Sequence, residues 1–327
     1  MTRTRFAPSP TGDLHLGSAW TALASWIVAR RSSGHHVLRC EDLDSARVVS
    51  GARARIQDDL RWLGLDWDEG PVRQSERLGL YARRLEELAA HGRVYPCDCS
   101  RAEIARASTT MTTVANRELS PAQASTVATA SAPHAGEETV YPGTCRDRDP
   151  RRPMRRPPAL RIRVPEGVVV VHDDVIAGRI AQNLTVDVGD FVLQRGDGVF
   201  AYQLAVVADD VAMGITDVVR GADLLTSTPR QIWLAQLLGA KPPRYAHVPL
   251  VVLSDGSRLA KRLGGGTVKE LRDRGMRPER IIGALAHGLG LADTDQPVSA
   301  IDLARASKHR EPAWRRDPWP VPAEWQD

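Results

Sequence analysis

Arg5-Phe-Ala-Pro-Ser-Pro-Thr-Gly-Asp-Leu-His-Leu-Gly-Ser18 is the stretch on which the reading of the 327-residue chain turns. A short β-type run, Thr4 to Ala7, enters a turn with two prolines and two glycines. An apolar, helix-periodic segment from about Ser18 to Arg31 leaves it. Strand, glycine turn and helix open a nucleotide-binding half-fold. Backbone N–H groups there approach phosphate, and the start of the helix favours negative charge. His15 adds a side-chain donor, and Gly17, having no Cβ, lets a flat ring come close to the backbone. A bare His-x-Gly would be an ordinary surface turn; the whole string is more than that.

Outward from this stretch, the strand His36–Cys40 ends in Glu41-Asp-Leu-Asp44. Acidic residues just past a parallel strand lie at the edge where α/β sheets bind ligands. Helical segments follow over Gly51–Leu63 and Ser75–His91, an alternation that predicts βαβ units. The pattern breaks at Tyr95-Pro-Cys-Asp-Cys-Ser100. Ser108–Thr139 is rich in Ala, Ser and Thr and predicts a mobile loop. Short runs at Ala159–Val164, Val168–His172 and Ile176–Ala181 predict a small antiparallel insert. Phe191–Tyr202 predicts a hairpin turning at Gly196-Asp197-Gly198. A helix over Tyr202–Met213, a strand over Thr216–Arg220 and a helix over Thr228–Leu238 supply the second nucleotide-binding half. A strand over Val248–Leu253, a glycine-rich loop, helices over Thr267–Asp273 and Pro278–Gly288, and a Trp- and Pro-rich tail complete the chain. The expected divisions are 1–95, 96–190, 191–240 and 241–327.

Composition excludes several classes. At 42% hydrophobic and 26% charged the chain is of ordinary globular type. It has no apolar run of about 18 residues, so no membrane span is expected. Its start lacks a signal-type apolar stretch, and a cytoplasmic location is expected. The net charge of +4 permits nucleic-acid binding without arguing for it. Arg146, Arg148, Arg151, Arg152, Arg155 and Arg156 crowd one segment, either as a solvated loop or as phosphate contacts. Cys40 lies in an apolar strand as a packing residue, whereas Cys97, Cys99 and Cys145 sit in turn-like contexts.

Ser254-Asp-Gly-Ser-Arg258-Leu-Ala-Lys261-Arg262-Leu-Gly-Gly-Gly266 places basic side chains in a glycine-rich loop, suited to charge growing on departing phosphates. Arg5, Ser9, Glu41, Tyr202 and Arg220 are of the types an amino-acid site needs. An arginine fork holds a carboxylate, and a carboxylate receives an ammonium group. Cys97, Cys99 and Cys145 provide three thiolates for a tetrahedral zinc, with His134, Asp98 and Tyr141 near in sequence for the fourth position.

The opening string resembles that of class I glutamyl- and glutaminyl-tRNA synthetases, with His15-Leu-Gly-Ser18 in the place of the HIGH signature. Arg258-Leu-Ala-Lys261-Arg262 resembles the KMSKS loop, with Arg258 for the first lysine and Ala260 for the serine. The resemblance implies an α/β fold: the Rossmann-like parallel sheet of class I aminoacyl-tRNA synthetases with a small zinc-containing insert and a helical C-terminal stem. It implies glutamate contacts from Arg5, Ala7, Ser9, Glu41, Tyr202 and Arg220. It implies ATP contacts, with Mg²⁺ accompanying ATP, from His15, Gly17, Ser18, Arg258 and Lys261. Among these, His15, Gly17 and Lys261 would be catalytic.

Cys97-x-Cys99 followed by Tyr141-x-x-x-Cys145 resembles the zinc knuckle of glutamyl-Q tRNA(Asp) synthetases. That implies one structural Zn²⁺ per chain on Cys97, Cys99, Tyr141 and Cys145. The long intervening loop sets this chain apart and keeps His134 as the alternative to Tyr141. The residues after Leu263 are too few for a helical anticodon-binding region. The resemblance therefore implies a monomer that activates L-glutamate with ATP and passes it to queuosine in the anticodon stem-loop of tRNA(Asp). The alternatives are a truncated synthetase charging a tRNA 3′ end and a non-catalytic RNA-binding paralogue.

Overall fold

Arg3–Phe6 forms strand β1 and Leu16–Arg31 helix α1 in a computed structural model that describes residues 1–115, 140–257, 259, 266–308 and 311–325. Helix α1 begins two residues earlier than its periodicity predicts, because His15 caps it by accepting the Ser18 N–H. Its Leu16, Trp20, Leu23, Trp26 and Ile27 are all buried, so it is the central element of the larger core.

The chain continues through β2 (His35–Cys40), α2 (Ala52–Trp62), β3 (Glu69–Arg73) and α3 (Leu78–Ala90). Strands β1, β2 and β3 run parallel, with Arg5 opposite Val37. An intervening region holds β4 (Val94–Cys97), α4 (Arg101–Ala115), β5 (Ala159–Ile162), β6 (Val169–Asp174), β7 (Gly178–Asn183), the single turn α5 (Leu184–Asp187) and β8 (Val192–Gln194). There β4, β5 and β8 form an antiparallel sheet, and β6 and β7 a hairpin.

The second half follows with α6 (Tyr202–Ala212), β9 (Asp217–Gly221), α7 (Thr228–Leu237) and β10 (Arg244–Val248). Strands β9 and β10 are parallel, and β9 joins the free edge of β1 where the Thr216 N–H donates to the Arg3 carbonyl at 2.9 Å. The order is thus β3-β2-β1-β9-β10, a doubly wound Rossmann-like sheet. Its switch point lies between β1 and β9, and the crevice beyond their carboxyl ends is where such sheets bind ligands.

The chain closes with β11 (Val251–Val252), α8 (Val268–Asp273), α9 (Pro278–Leu289), α10 (Ala300–Ala306) and β12 (Trp319–Pro320). The helical stem is present as expected. The Trp-rich tail returns to the body: β12 pairs with β11, Trp319 stacks on Trp20 at 5.1 Å, and Trp325 meets Trp319 edge-on at 6.3 Å. Gly288 of α9 lies beneath the stack, where a Cβ would stand 2.6 Å from Trp319 and 2.7 Å from Trp20. Both rings are large and packed, so Gly288→Ala is expected to destabilise by about 1–3 kcal/mol through overpacking. Urea unfolding checks this; an unmoved midpoint would contradict it.

Three expectations are corrected. The loop over Ser108–Thr139 is helical at its start, since α4 reaches Ala115; residues 116–139, His134 among them, lie outside the described residues. The strand over Val248–Leu253 is two strands, broken at Pro249, which has no N–H for the ladder. Cys97 ends strand β4 rather than sitting in a turn.

Candidate active site

The two signature loops meet through their stems. Leu16 N–H donates to the Gly266 carbonyl and Val268 N–H to the Leu14 carbonyl, both at 2.8 Å, with His15 bridged to Thr267. The glycine-rich basic loop therefore returns to the body beside the opening string. Thr267 and Glu270 form a capping box that starts α8 at that point. Arg258 and Lys261 lie outside the described residues, between Ser257 and Gly266. The His15 ring folds back over the helix start: Nδ1 accepts the Ser18 N–H at 3.1 Å and Nε2 lies 3.0 Å from Ser18 Oγ. A Cβ on Gly17 would stand 3.2 Å from that ring. The flat ring that Gly17 admits in this structure is the imidazole of His15.

Ser9, Glu41 and Tyr202 line one cleft of about 220 Å³, with Gln74, Phe200 and Arg195. Ser9 lies in the turn after β1, Glu41 follows β2, and Tyr202 is the first residue of α6. Ala7 follows β1 directly. Burial raises the Glu41 pKa against the pull of Arg39 and Arg5, and burial likewise raises that of Tyr202 against Arg220. Arg5, Glu41, Tyr202 and Arg220 thus sit within electrostatic reach of one another at the switch point.

Beneath the cleft is an ion network that the sequence does not disclose. Arg39, fully buried on β2, donates from Nη1 to Asp210 Oδ1 at 2.6 Å and from Nη2 to Glu41 Oε1 at 3.3 Å. Arg5 Nε donates to both Asp210 oxygens at 3.3 and 3.4 Å. Burial pushes the Asp210 carboxyl up, but Arg5 and Arg39 outweigh it and hold it below the usual range. Asp209 accepts from Gln74 at 2.9 Å, Arg77 at 2.6 Å and Tyr81 at 2.8 Å. The local signal was present in part: Asp209 and Asp210 follow Tyr202 by two helical turns, on a helix otherwise apolar.

Arg220, on β9, is held from three sides. Its Nε donates to His247 Nε2 at 3.1 Å, its Nη2 to Thr228 Oγ1 at 2.8 Å, and its guanidinium lies 5.3 Å from the centre of the Tyr245 ring. Its Nη1 is buried and has no hydrogen-bond partner among the described residues. The open fork that the sequence predicts is therefore narrowed to one terminal nitrogen. His247 Nδ1 meets Asp174 Oδ2 at 2.6 Å, and burial lowers the His247 pKa to about 4. At neutral pH the ring is uncharged, with its proton on Nδ1 and Nε2 accepting from Arg220.

Cys97, Cys99 and Cys145 present three sulfurs within 4.8 Å of one another. The buried Tyr141 hydroxyl joins them, 3.3 Å from Cys97 Sγ and 3.8 Å from Cys99 Sγ. Four-coordinate zinc sets its sulfurs about 3.8 Å apart, so this donor set fits a structural ion. The Arg161 guanidinium lies 3.9 Å from the centre of the Tyr141 ring and fixes the ring beside the sulfurs. Asp98 is engaged otherwise, accepting from Arg152 at 2.7 Å and from the Arg155 N–H at 3.1 Å. His134 lies outside the described residues.

The arginine-rich segment is mostly neutralised by its neighbours. Arg146 pairs with Asp190 at 3.0 Å, Arg152 with Asp98 at 2.7 Å, and Arg155 with Glu103 at 2.7 Å. Arg156 approaches Glu103 at 3.8 Å. These ion pairs tie the segment to the cysteine cluster, and among the described residues Arg148 and Arg151 are the exposed members without a side-chain partner.

Residues 1–310 match the family model of class I (E and Q) tRNA synthetase catalytic domains. A glutamyl-Q tRNA(Asp) synthetase from Deinococcus radiodurans is 49% identical over 302 residues, covering 91% of this chain and 94% of that protein. The chain belongs to the glutamyl-Q tRNA(Asp) synthetase family. Another of these synthetases, from Symbiobacterium thermophilum, is 44% identical and covers 98% of this chain and 96% of its own length. A crystal structure of a glutamate tRNA ligase from Elizabethkingia meningosepticum, in complex with its amino acid, superposes with a TM-score of 0.76 at 26% identity. It covers 99% of this chain and 68% of that ligase. The family's ligase chemistry and class I fold are therefore this chain's as well, as the opening string implied. No described helix is long and apolar enough to cross a membrane.

Proposed function

We propose that the protein activates L-glutamate with ATP and transfers the glutamyl group to queuosine in the anticodon stem-loop of tRNA(Asp). The observation that supports this is the backbone pairing of Leu14–Leu16 with Gly266–Val268, which joins the residues that follow the basic loop to the opening string, whose Ser9 lines the cleft with Glu41 and Tyr202. In this reading Glu41 receives the ammonium group of glutamate, and Ser9, Tyr202, Ala7, Arg5 and Arg220 surround the rest of it. His15, Gly17, Ser18, Arg258 and Lys261 handle ATP, which arrives with Mg²⁺. The glutamate α-carboxylate attacks the α-phosphorus and pyrophosphate leaves. A queuosine hydroxyl then attacks the acyl carbon of the mixed anhydride, the acyl–phosphate bond breaks, and AMP leaves with the hydroxyl proton released. Positioning and charge stabilisation supply the catalysis.

The divisions at residues 95, 190 and 240 follow this work. Residues 1–95 and 191–240 grip the small substrates, 96–190 present the RNA-facing insert, and 241–327 carry the basic loop and stem. All these residues come from one chain, which supports a monomer as the working unit, and the tRNA substrate supports a cytoplasmic location. Glutamate-dependent exchange of pyrophosphate into ATP tests the activation step. Exchange is expected with L-glutamate and not with L-aspartate; none with any amino acid would leave a non-catalytic RNA-binding protein.

One Zn²⁺ on Cys97, Cys99, Cys145 and Tyr141 would be structural, tying β4 to the arginine-rich segment. Purified protein is expected to carry zinc, and Cys97→Ser to release it. The variant should also melt several degrees lower, since about 1 kcal/mol shifts a chain of this size by roughly 1.5 °C and losing a structural ion costs several times that. Metal-free protein with a Tm indifferent to Cys97→Ser would remove the site.

A further inference from the structure

We propose that His247 and Asp174 are a positioning pair that aims Arg220 Nη1 at the glutamate carboxylate. The inference rests on the reading of Arg220 as a glutamate contact and adds two residues, from β10 and the β6–β7 hairpin, to that site.

The geometry is a relay of fixed polarity. Asp174 is anchored first: its Oδ1 accepts the backbone N–H groups of Ile176 at 3.0 Å, Ala177 at 2.8 Å and His247 at 3.2 Å. Its Oδ2 is left for His247 Nδ1 at 2.6 Å. Both side chains are fully buried, so neither bond competes with water. A carboxylate accepts only, so the Nδ1–H must point at it, and Nε2 must then be an acceptor. Arg220 Nε donates to Nε2 at 3.1 Å, and the Thr228 hydroxyl, which itself accepts from Arg220 Nη2, lies 3.0 Å from the same nitrogen, so Thr228 shares in the relay. Thr228 Oγ1 and the Leu224 carbonyl occupy Nη2 at 2.8 and 3.4 Å, and Tyr245 covers one face.

Every nitrogen of the guanidinium except Nη1 is thus spoken for. Nη1 alone is buried and without a partner among the described residues. A buried donor left unpaired is costly, and a bound carboxylate oxygen would relieve that cost. Without the relay, an arginine side chain has several rotamers and no reason to present this nitrogen. The two residues do not touch glutamate; they set the direction of the guanidinium that does.

Initial rates of glutamate-dependent pyrophosphate exchange separate a positioning role from a merely structural one. His247→Ala is expected to raise the KM for glutamate by about 10- to 100-fold, the loss of a charge-assisted hydrogen bond. The KM for ATP should stay at the wild-type value and kcat at saturating glutamate should fall by much less. His247→Gln, whose amide can donate to Asp174 and accept from Arg220, should recover most of the lost affinity, and Asp174→Asn should fall between. If His247→Ala does not fold, the Gln and Asn variants carry the test, with the Asn variant again expected to weaken glutamate and not ATP.

A wild-type glutamate KM in His247→Ala or Asp174→Asn, or equal rises in both KM values, would overturn the proposal. Arg220→Ala separates the two layers. If it raises the glutamate KM while the His247 variants do not, the relay fails and the glutamate reading stands. If it leaves the KM unchanged, the reading of Arg220 falls, and the relay with it.

Discussion

Asp210→Asn should abolish glutamate-dependent exchange and destabilise the chain by about 3–5 kcal/mol, the scale on which removing one partner of a buried pair acts. Asp210 accepts from Arg39 at 2.6 Å and from Arg5 at 3.3 and 3.4 Å, and all three side chains are buried. An amide in its place leaves two guanidiniums facing each other in the sheet without the charge that reconciles them, and Arg5 loses the partner that fixes its direction. The effect also has a pH signature. The folded pKa of Asp210 lies below its unfolded value, so its carboxylate contributes stability above about pH 3.9 and loses it as pH falls through the folded pKa. The gap between denaturant melts of wild type and variant should therefore start to narrow near about pH 4 and close only below the folded pKa. A variant as stable as wild type at pH 7 would contradict the network's role.

Lys261→Ala is the complementary case, large in rate and small in stability. Charge grows on the phosphates as pyrophosphate leaves, and a positioned cation acts there. Removing one such group is expected to lower kcat for exchange by roughly 10²–10³-fold. Arg258 shares the loop, so Arg258→Ala should lower it less, and the two together by less than the product of the single effects. The melting temperature and the KM for glutamate should be unmoved. Exchange in Lys261→Ala within threefold of wild type would show that the loop does not act in the chemistry.

The parts of the fold visible in the sequence were those with local signals. The opening string showed its strand, turn and helix because each has its own residue preferences. The hairpin at Gly196-Asp197-Gly198 closes as its glycines imply, with Arg195 N–H donating to the Val199 carbonyl at 2.8 Å. Strand β3 was not visible. Glu69-Gly-Pro-Val-Arg73 is an edge strand, largely exposed, and an edge tolerates the Gly, Pro and charges that argue against a strand. Strand β10 was misplaced because the apolar run past Pro249 outweighed Arg244-Tyr-Ala-His-Val248.

The site divides the same way. Residues carried by short strings, such as His15, Ser9, Glu41 and Cys97, were legible as candidates. Arg39, Asp210, Asp174 and His247 act through partners 171 and 73 positions away, and no local pattern encodes such a pairing. Buried ions of this kind read in sequence as ordinary surface charge until the strands bring them together.

Incubating the protein with ATP, radiolabelled L-glutamate and tRNA(Asp), with and without queuosine, is the most direct measurement of the whole account. Label is expected on the queuosine-containing tRNA(Asp) alone, and to remain after the tRNA 3′ end has been oxidised. Equal labelling of both tRNA(Asp) forms, or label confined to the 3′ end of tRNA(Glu), would contradict it.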